Sequence, residues 1–442
     1  MKSNTDIKNN EAINIFWFRR DLRIEDNAGL YHALNAGFKV APIFIFDTNI
    51  VEQIEVNPDS RVMFICSALS ALQSNLRSEG SLLQVFKGTP SEVFIMLSEK
   101  LHIKAVYTNK DYEPYAIKRD TEVATILKNK GVVFHAYKDQ VMYDTDDVIK
   151  TDGNPYTVFT PYSRLWKKKI LQEGIRNYLT EKLLGNLLKY PNENFSDVTL
   201  CYNIEKSIPM HKPEIPSAII REYHKTRDYP ALEGTSKLGH HLRFGTVSIR
   251  KLLSIATELN ETWLNELVWR EFFMMILWHY PKVVTHNYKS KYDSVFWRND
   301  ENEFERWRHG ETGYAMVDAG MRQLNSTGWM HNRVRMIAAG FLVKHLLIDW
   351  RWGEAYFAQK LMDYELSSNN GNWQWAAGTG CDAAPYFRIF NPEEQLRKYD
   401  PQHIYVKKWV PEFGTSRYVK PIVENNYARK RVIEVYRKAL LD

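Results

Sequence analysis

The residues most suited to chemistry lie in one short stretch, NNGNWQW, at positions 369–375. Buried amide side chains must be hydrogen-bonded, and a flat heteroaromatic ligand offers matching donors and acceptors. The tryptophans at 373 and 375 can direct one ring inward and the other outward. A tight turn packed by two aromatic rings is the alternative interpretation.

A second cluster is GTSKLG, at positions 234–239, where a glycine and two hydroxyls precede a predicted helix. Backbone N–H groups at a helix start, together with hydroxyl donors, can cradle a phosphate. A simple helix N-cap would use the same residues.

A third cluster lies on a predicted helix that carries Trp263, Glu266 and Arg270 on one face. A carboxylate among aromatic rings has a perturbed pKa or a ligand to bind. A core tryptophan beside a surface ion pair is the alternative. In a fourth cluster, GWMHNRVRM, Arg333 and Arg335 cannot face the same way, so one could meet an internal anion and the other an external one. Two surface arginines are the alternative there, but one shared ligand would explain all four clusters.

Composition sets few limits on function. The chain has 442 residues, 44% hydrophobic and 25% charged, and its net charge of 59 − 53 = +6 permits a polyanionic partner. Cys66, Cys201 and Cys381 lie far apart without disulfide or metal-ligand spacing, which favours a reducing compartment. No apolar run approaches the roughly 18 residues that span a membrane. A cytoplasmic protein without a secretory signal is therefore predicted.

The elements that must position these clusters fall into two halves. Strand and helix patterns alternate over residues 12–137, which predicts an α/β domain with a doubly wound parallel sheet that binds ligands beyond its strands' carboxyl ends. Residues 138–225 are irregular and predict an interdomain connection. Residues 226–442 carry apolar residues at helical spacing and predict an all-α domain.

Taken together, the motifs resemble the DNA photolyase/cryptochrome family, and they look most like a class I cyclobutane pyrimidine dimer photolyase. The resemblance runs in order from about residue 13 to 415 and is most specific over 228–395. It rests on NIFWFRRDLRIEDNAGL, YTNKDYEPYAIKRD, ALEGTSKLG, NELVWREF, GWMHNRVRMI and NNGNWQWAAGTGCDAAPYFRIFNP.

The resemblance implies a flavin, FAD, held in the helical domain. Its phosphate and ribose region would be held by Tyr223, Thr235, Ser236 and Leu238. The flavin itself would be lined by Trp263, Arg270, Asn332, Arg335, Asp363, Glu365 and Asn369. Asn369 would lie beside the flavin N5, and Arg335 with Asp363 would form a charge pair near the ring.

The implied reaction is light-driven repair of UV-damaged DNA. Excited, reduced FADH⁻ passes an electron to a flipped-out pyrimidine dimer, the cyclobutane ring splits, and the electron returns. Glu266 would hydrogen-bond the 5′ base, while Trp269 and Trp375 would form the two walls of the lesion pocket. The other implied contacts to the lesion or to DNA phosphates are Arg227, Arg270, Asn332, Arg333, Met336 and Arg388.

The resemblance also implies an electron relay, Trp373–Trp350–Trp307, that begins at the flavin and reaches the surface. Plain core packing is the alternative for Trp350 and Trp307.

Several positions depart from the family pattern. Glu365 stands where aspartate is usual, and Gly239 stands where serine is common. Glu113 lies in the segment that resembles the folate-contacting stretch of the family. An antenna chromophore could be folate, a deazaflavin, a second flavin or none.

Three other functions stay open from the sequence. A cryptochrome-type photoreceptor would keep the flavin but could lose the lesion pocket, whose residues are present here. A (6-4) photolyase needs histidines in that pocket, and His331 alone fits the dimer-repair pattern better. A flavoprotein without a nucleic-acid partner is disfavoured by the arginines. A monomer that acts on UV-damaged DNA is the prediction.

Overall fold

The computed structural model describes residues 11–51, 60–190 and 213–441. Cys201 and most of the proline-punctuated stretch 190–217 lie outside the described residues. The chain forms two compact units. The first takes the described parts of Met1–Asp144, Glu173–Glu214 and Leu238–Ser254, and the second takes those of Thr145–Gln172, Ile215–Lys237 and Ile255–Asp442. The segment 138–225, predicted as a connection, thus contributes to both units.

The first unit is built on a five-stranded sheet of order β3-β2-β1-β4-β5, in which every neighbouring pair is parallel. The predicted doubly wound α/β fold is therefore confirmed. Its strands are β1 Ile13–Phe18, β2 Lys39–Asp47, β3 Gln84–Gly88, β4 Ile103–Asn109 and β5 Val133–Tyr137. Its helices are α1 Ala28–Leu34, α2 Thr48–Val51, α3 Ser60–Ser78, α4 Pro90–Lys100, α5 Pro114–Asn129 and the short α8 Gly239–Arg243.

Strand β1 shows why the first half of the sequence reads as continuous apolar runs. Every residue of β1 is buried, because successive side chains point to opposite faces and both faces are covered. Phe16 and Phe18 pack into one core cluster, while Ile15 and Trp17 pack into another.

Local capping begins α4 as the sequence predicts. The Thr89 side chain accepts from the backbone N–H of Glu92, the Glu92 carboxylate accepts from the backbone N–H of Thr89, and Pro90 takes the first helical position.

The second unit is helical, and none of its described residues belongs to a β-strand. Helices α12 to α15 supply much of its main core cluster, which includes Trp307, Trp350 and Trp373. Its helices are α6 Phe159–Glu173, α7 Ser217–Thr226, most of α9 Ile249–Leu259, α10 Glu261–His279, α11 Glu301–His309, α12 Ala315–Thr327, α13 Asn332–Gly340, α14 Trp350–Lys360, α15 Leu366–Ala377, α16 Pro392–Tyr399, α17 Ile404–Trp409 and α18 Asn425–Leu441.

The helical pattern over 332–350 is interrupted in the structure. Regular helix ends at Gly340, a π-helical turn follows at Phe341–His345, and Leu347 then adopts a positive φ of 53°. Arg298 accounts for part of this break. Its backbone N–H donates to the carbonyl of Leu347, and its guanidinium donates to the carbonyl of Leu346. Asp349 then caps α14 through its carboxylate. Tertiary hydrogen bonds therefore override a continuous helical periodicity.

Every helix among the described residues is too short or too polar to cross a membrane.

Candidate active site

A cavity that is partly open to solvent lies in the second unit, between α13, α15 and the turn that precedes α15. Its walls bring together many of the residues that the sequence predicts as functional, namely Asn332, Arg335, Met336, Asp363, Glu365, Asn369, Trp373 and Trp375.

Helix α13 presents Asn332, Arg335, Met336 and Ala339 to this cavity because their three- and four-residue spacing places them on one face. His331 caps the helix, and its Nδ1 accepts from the backbone N–H of Arg333 at 3.2 Å. Burial lowers the pKa of His331 to about 4. The imidazole therefore stays neutral at physiological pH and can accept that hydrogen bond.

Two ion pairs neutralise the carboxylates of the cavity wall. The guanidinium of Arg335 donates to both carboxylate oxygens of Asp363, at 2.8 and 3.1 Å, which is the charge pair expected from the sequence. Arg270 on α10 meets Glu365 through Nε at 2.9 Å and Nη2 at 3.0 Å. Arg270 and Glu365 are only 9% and 7% exposed. The longer acid at 365 therefore forms a bidentate, buried pair.

Asn369 is oriented by Glu354, a residue that the sequence analysis missed. The Nδ2 of Asn369 donates to the backbone carbonyl of Glu354 at 3.0 Å and to its Oε1 at 2.8 Å. Burial raises the pKa of Glu354, against the opposing effect of this hydrogen bond. Because both amide hydrogens are used on Glu354, the Oδ1 of Asn369 is the atom left to accept from an N–H group in the cavity.

Other cavity residues also escaped the sequence analysis. Ser368 and Asn372 line the wall on the face of α15 that carries Asn369, and Phe357, Leu361 and Tyr364 add apolar and aromatic surface. The spacing of Ser368 and Asn372 around Asn369 could have predicted that they share a helix face with it. No sequence pattern predicts Phe357 and Glu354 of α14 as site residues, because only the packing of α14 against α15 brings them to the site.

The segment that precedes α8 has the features of a phosphate-binding loop. Gly234 is required there, since a Cβ would lie 2.6 Å from the Cβ of Thr226. Among the described residues, the hydroxyls of Thr235 and Ser236 have no hydrogen-bond partner in the protein, so they are free to donate to an anion. Tyr223 lies on α7 of the same unit and is buried. Leu238 is buried in the first unit.

The tryptophans are arranged differently from the predicted relay. Trp373 is 2% exposed, and Trp350 and Trp307 are 0% exposed. The ring centroid of Trp307 lies 6.1 Å from that of Trp373. The interpretation of Trp307 as the outer, surface member is therefore wrong, because α11 packs that ring into the core directly beside Trp373. The indole N–H of Trp350 donates to the Oδ1 of Asn287 at 2.9 Å.

Gly353 of α14 makes room for Trp373. A Cβ at this glycine would lie 2.1 Å from the Cη2 of the indole, so Gly353→Ala must displace the ring. We expect a loss of about 1–3 kcal/mol in the free energy of unfolding, measured by urea denaturation. Gly185→Ala is the matched control, since nothing lies within 4 Å of its added Cβ. Equal effects of the two substitutions would contradict this account of Trp373.

Helix α10 carries predicted residues that do not line the cavity. Trp263 is buried, and Trp269 stacks on Phe159 with ring centroids 3.6 Å apart and an interplanar angle of 5°. Glu266 pairs with Arg227 at 2.5 Å, and burial raises the pKa of the Glu266 carboxyl. Of this helix, only Arg270 is linked to the cavity, through Glu365.

Arg388 and Arg333 have different surroundings. Arg388 lines a second, smaller cavity of about 330 Å³ together with Met336, Trp375 and Lys344. Arg333 pairs instead with Asp228 at 2.7 Å. Met336 and Trp375 border both cavities, so the smaller one adjoins the larger.

Glu113 of the first unit is already engaged. Its carboxylate meets the guanidinium of Arg20 at 3.1 Å and that of Arg243 at 2.5 Å. A folate ligand at this carboxylate would have to compete with two arginines.

The residues of the large cavity fit a flavin. Its wall offers a guanidinium, carboxylates, amides and a hydroxyl for the polar edge of a ring system, and Phe357, Trp373 and Tyr364 for its flat faces. The free Oδ1 of Asn369 matches an N–H donor. Among the described residues, no cluster of side chains suits a metal ion.

Comparisons with known proteins agree with this fit. Residues 14–179 match the family described as DNA photolyase, and residues 263–416 match the FAD binding domain of DNA photolyase. A deoxyribodipyrimidine photo-lyase of Synechococcus is 34% identical, with 96% of each chain covered. A bacterial class III photolyase of Agrobacterium tumefaciens superposes with a TM-score of 0.84 at 30% identity, over 100% of both chains. An archaeal photolyase of Sulfolobus tokodaii, solved with two FAD molecules, superposes with a TM-score of 0.78 at 34% identity, over 96% of this chain and 99% of its own.

Both halves of the chain match the same family, and the relatives align with it from end to end. The parallel sheet, the helical unit and the polar and aromatic lining of the cavity agree with that match. The chain belongs to the DNA photolyase/cryptochrome family and carries that family's FAD-binding domain.

Proposed function

We propose that this protein repairs cyclobutane pyrimidine dimers in UV-damaged DNA under light, as a class I photolyase. The observation that carries the proposal is the convergence of Asn369, the Arg335–Asp363 pair, Met336 and Trp375 on one cavity. The lining includes polar groups suited to a flavin and, in Met336 and Trp375, apolar and aromatic surface suited to a flipped base.

Bound FAD, in its reduced form FADH⁻, would supply the light-excited electron that a dimer accepts and later returns. The residues that would hold it are Tyr223, Thr235, Ser236, Leu238, Trp263, Arg270, Asn332, Arg335, Asp363, Glu365 and Asn369. Asn369, held by Glu354, offers its Oδ1 as acceptor. The pairing with Asp363 fixes the guanidinium of Arg335 on the cavity wall, where its remaining N–H groups can donate to a ligand.

The chain's own groups would bind the lesion in three ways. Trp375 offers a flat ring on which an unstacked base can stack, and Trp269 would offer a second one. Glu266, whose pKa burial raises, would hydrogen-bond a base of the lesion. Arg227, Arg333 and Arg388 would meet DNA phosphates.

An electron relay through buried indoles is part of the proposal, in a revised arrangement. Trp373 borders the cavity, and Trp307 lies beside it rather than at the surface. Trp350 is the other buried member. An antenna chromophore and a monomeric state remain predictions from the sequence.

The substrate class is tested by giving the reduced protein duplexes with one defined lesion. Oligonucleotides with a thymine dimer and with a (6-4) lesion are illuminated in parallel, with undamaged duplex as control, and products are separated by chromatography. Light should restore thymines only from the dimer. Glu266→Ala should slow the reaction while leaving the flavin bound. Restoration from the (6-4) lesion alone, or bound flavin with no repair of either lesion, would contradict the proposal.

A further inference from the structure

Two of the arginines proposed to contact DNA are bound to carboxylates within the second unit. Arg227 lies at the end of α7 and meets Glu266 of α10 at 2.5 Å. Arg333, near the start of α13, meets Asp228 at 2.7 Å. Asp228 also lies 3.9 Å from the Nε of Arg227. The four side chains thus form one continuous ion network, which brings α7, α10 and α13 together.

The network packs against tyrosine rings and stays partly exposed to solvent. Each guanidinium lies over a tyrosine ring, Arg227 over Tyr223 at 5.3 Å and Arg333 over Tyr399 at 4.4 Å. The Asp228 side chain keeps 37% of its surface exposed, and the Arg333 side chain keeps 15%. A phosphate can therefore reach the position that Asp228 occupies beside Arg333.

A carboxylate and a phosphate are interchangeable partners of a guanidinium, since both accept its paired N–H groups. Arginines left without a partner would repel each other and would change rotamer before DNA arrived. In this network a carboxylate instead holds each arginine side chain in one orientation, and both guanidinium groups are paired with an anion.

We propose that Asp228 is a positioning residue for DNA, which holds Arg333 and Arg227 as an internal substitute for phosphate and is displaced when DNA binds. The inference rests on the proposed function, because it needs a DNA ligand. If a DNA phosphate also replaced the carboxylate that pairs with Arg227, Glu266 would lose its partner. Only DNA with a flipped base offers Glu266 a new hydrogen-bond partner. The network therefore lowers the affinity for undamaged duplex relative to damaged DNA.

The test is a double-mutant cycle on DNA affinity, measured by fluorescence anisotropy with the full-length flavin-loaded protein and an undamaged duplex. Asp228→Asn should raise affinity about two- to fivefold, as expected for loss of a partly exposed competing pair. In an Arg333→Gln background, Asp228→Asn should change affinity little. The matched control is Glu222→Gln on α7, which changes net charge equally, since Glu222 forms an exposed pair with Lys225 on the same helix.

The possible outcomes distinguish failure of the proposal for Asp228 from failure of the proposed repair function. If Asp228→Asn raises affinity equally with and without Arg333, or no more than Glu222→Gln does, the effect is long-range charge and the inference fails. If Asp228→Asn lowers affinity and Asp228→Glu restores it, Asp228 is structural support and the inference also fails. If the unsubstituted protein binds DNA and repairs dimers, the proposed function stands in either case. A protein that binds no DNA overturns both.

Discussion

Replacing Arg270 by methionine is expected to lower the free energy of unfolding by about 3–5 kcal/mol. Arg270 and Glu365 form a bidentate pair in which both side chains are more than nine-tenths buried. Removal of the arginine takes the bidentate, buried counter-charge away from the Glu365 carboxylate. Urea unfolding, followed by circular dichroism at equal flavin occupancy, measures the loss.

The control for this substitution is Lys438→Met, which breaks an exposed pair with Glu434 on α18. Such pairs contribute about 0–1 kcal/mol. A double variant, Arg270→Met with Glu365→Leu, should regain much of the stability, because an apolar pair needs no desolvation of charge. A single Arg270→Met variant as stable as Lys438→Met would show that the buried pair does not support the site.

Replacing Trp375 by alanine is expected to weaken binding of dimer-containing DNA by about 1–3 kcal/mol, or roughly 5- to 150-fold. Trp375 borders both cavities and keeps part of its ring accessible. Stacking by this ring applies only to a base that has left the duplex, so affinity for undamaged DNA should change little. Competition binding in the dark, with dimer-containing and undamaged duplexes, measures the difference.

Trp278→Ala is the matched control, since Trp278 is an exposed tryptophan on α10. It should leave both affinities unchanged. If Trp375→Ala weakens damaged and undamaged binding by the same factor, Trp375 acts on the general DNA surface and not on a flipped base.

The sequence was sufficient for features that depend on local pattern. The alternation of strands and helices predicted the parallel sheet, and Thr89, Pro90 and Glu92 predicted the start of α4. The motif around Asn369 predicted a ligand site, because spacing on one helix decides which side chains share a face. The Arg335–Asp363 pair also followed, since the resemblance supplied both residues.

The sequence was insufficient where distant segments meet. Trp307 was placed at the surface, but the depth of an indole depends on how α11 packs against α15, and spacing within one helix carries no such information. Glu354 was missed for the same reason, since it reaches Asn369 only across the α14–α15 contact. The π-helical turn at Phe341–His345 is followed by carbonyls that accept hydrogen bonds from Arg298, and this break could not be read from apolar periodicity.

The ion network around Asp228 shows the same limit at the DNA-binding residues. The motifs identify Arg227 and Arg333 as candidates for phosphate contacts. Only the structure shows that both arginines pair with carboxylates of the protein itself. Sequence patterns thus identified the arginines that could bind DNA phosphates. That carboxylates of the same protein compete for these arginines is visible only in the structure.

The most direct test of the central claim is repair of a single thymine dimer under light. Reduced protein is bound to an oligonucleotide with one dimer, illuminated with near-UV or blue light, and followed by recovery of the thymine absorbance, beside a sample kept dark. We expect recovery in the illuminated sample only. A flavin that is bound and photoreduced while the dimer persists would contradict it.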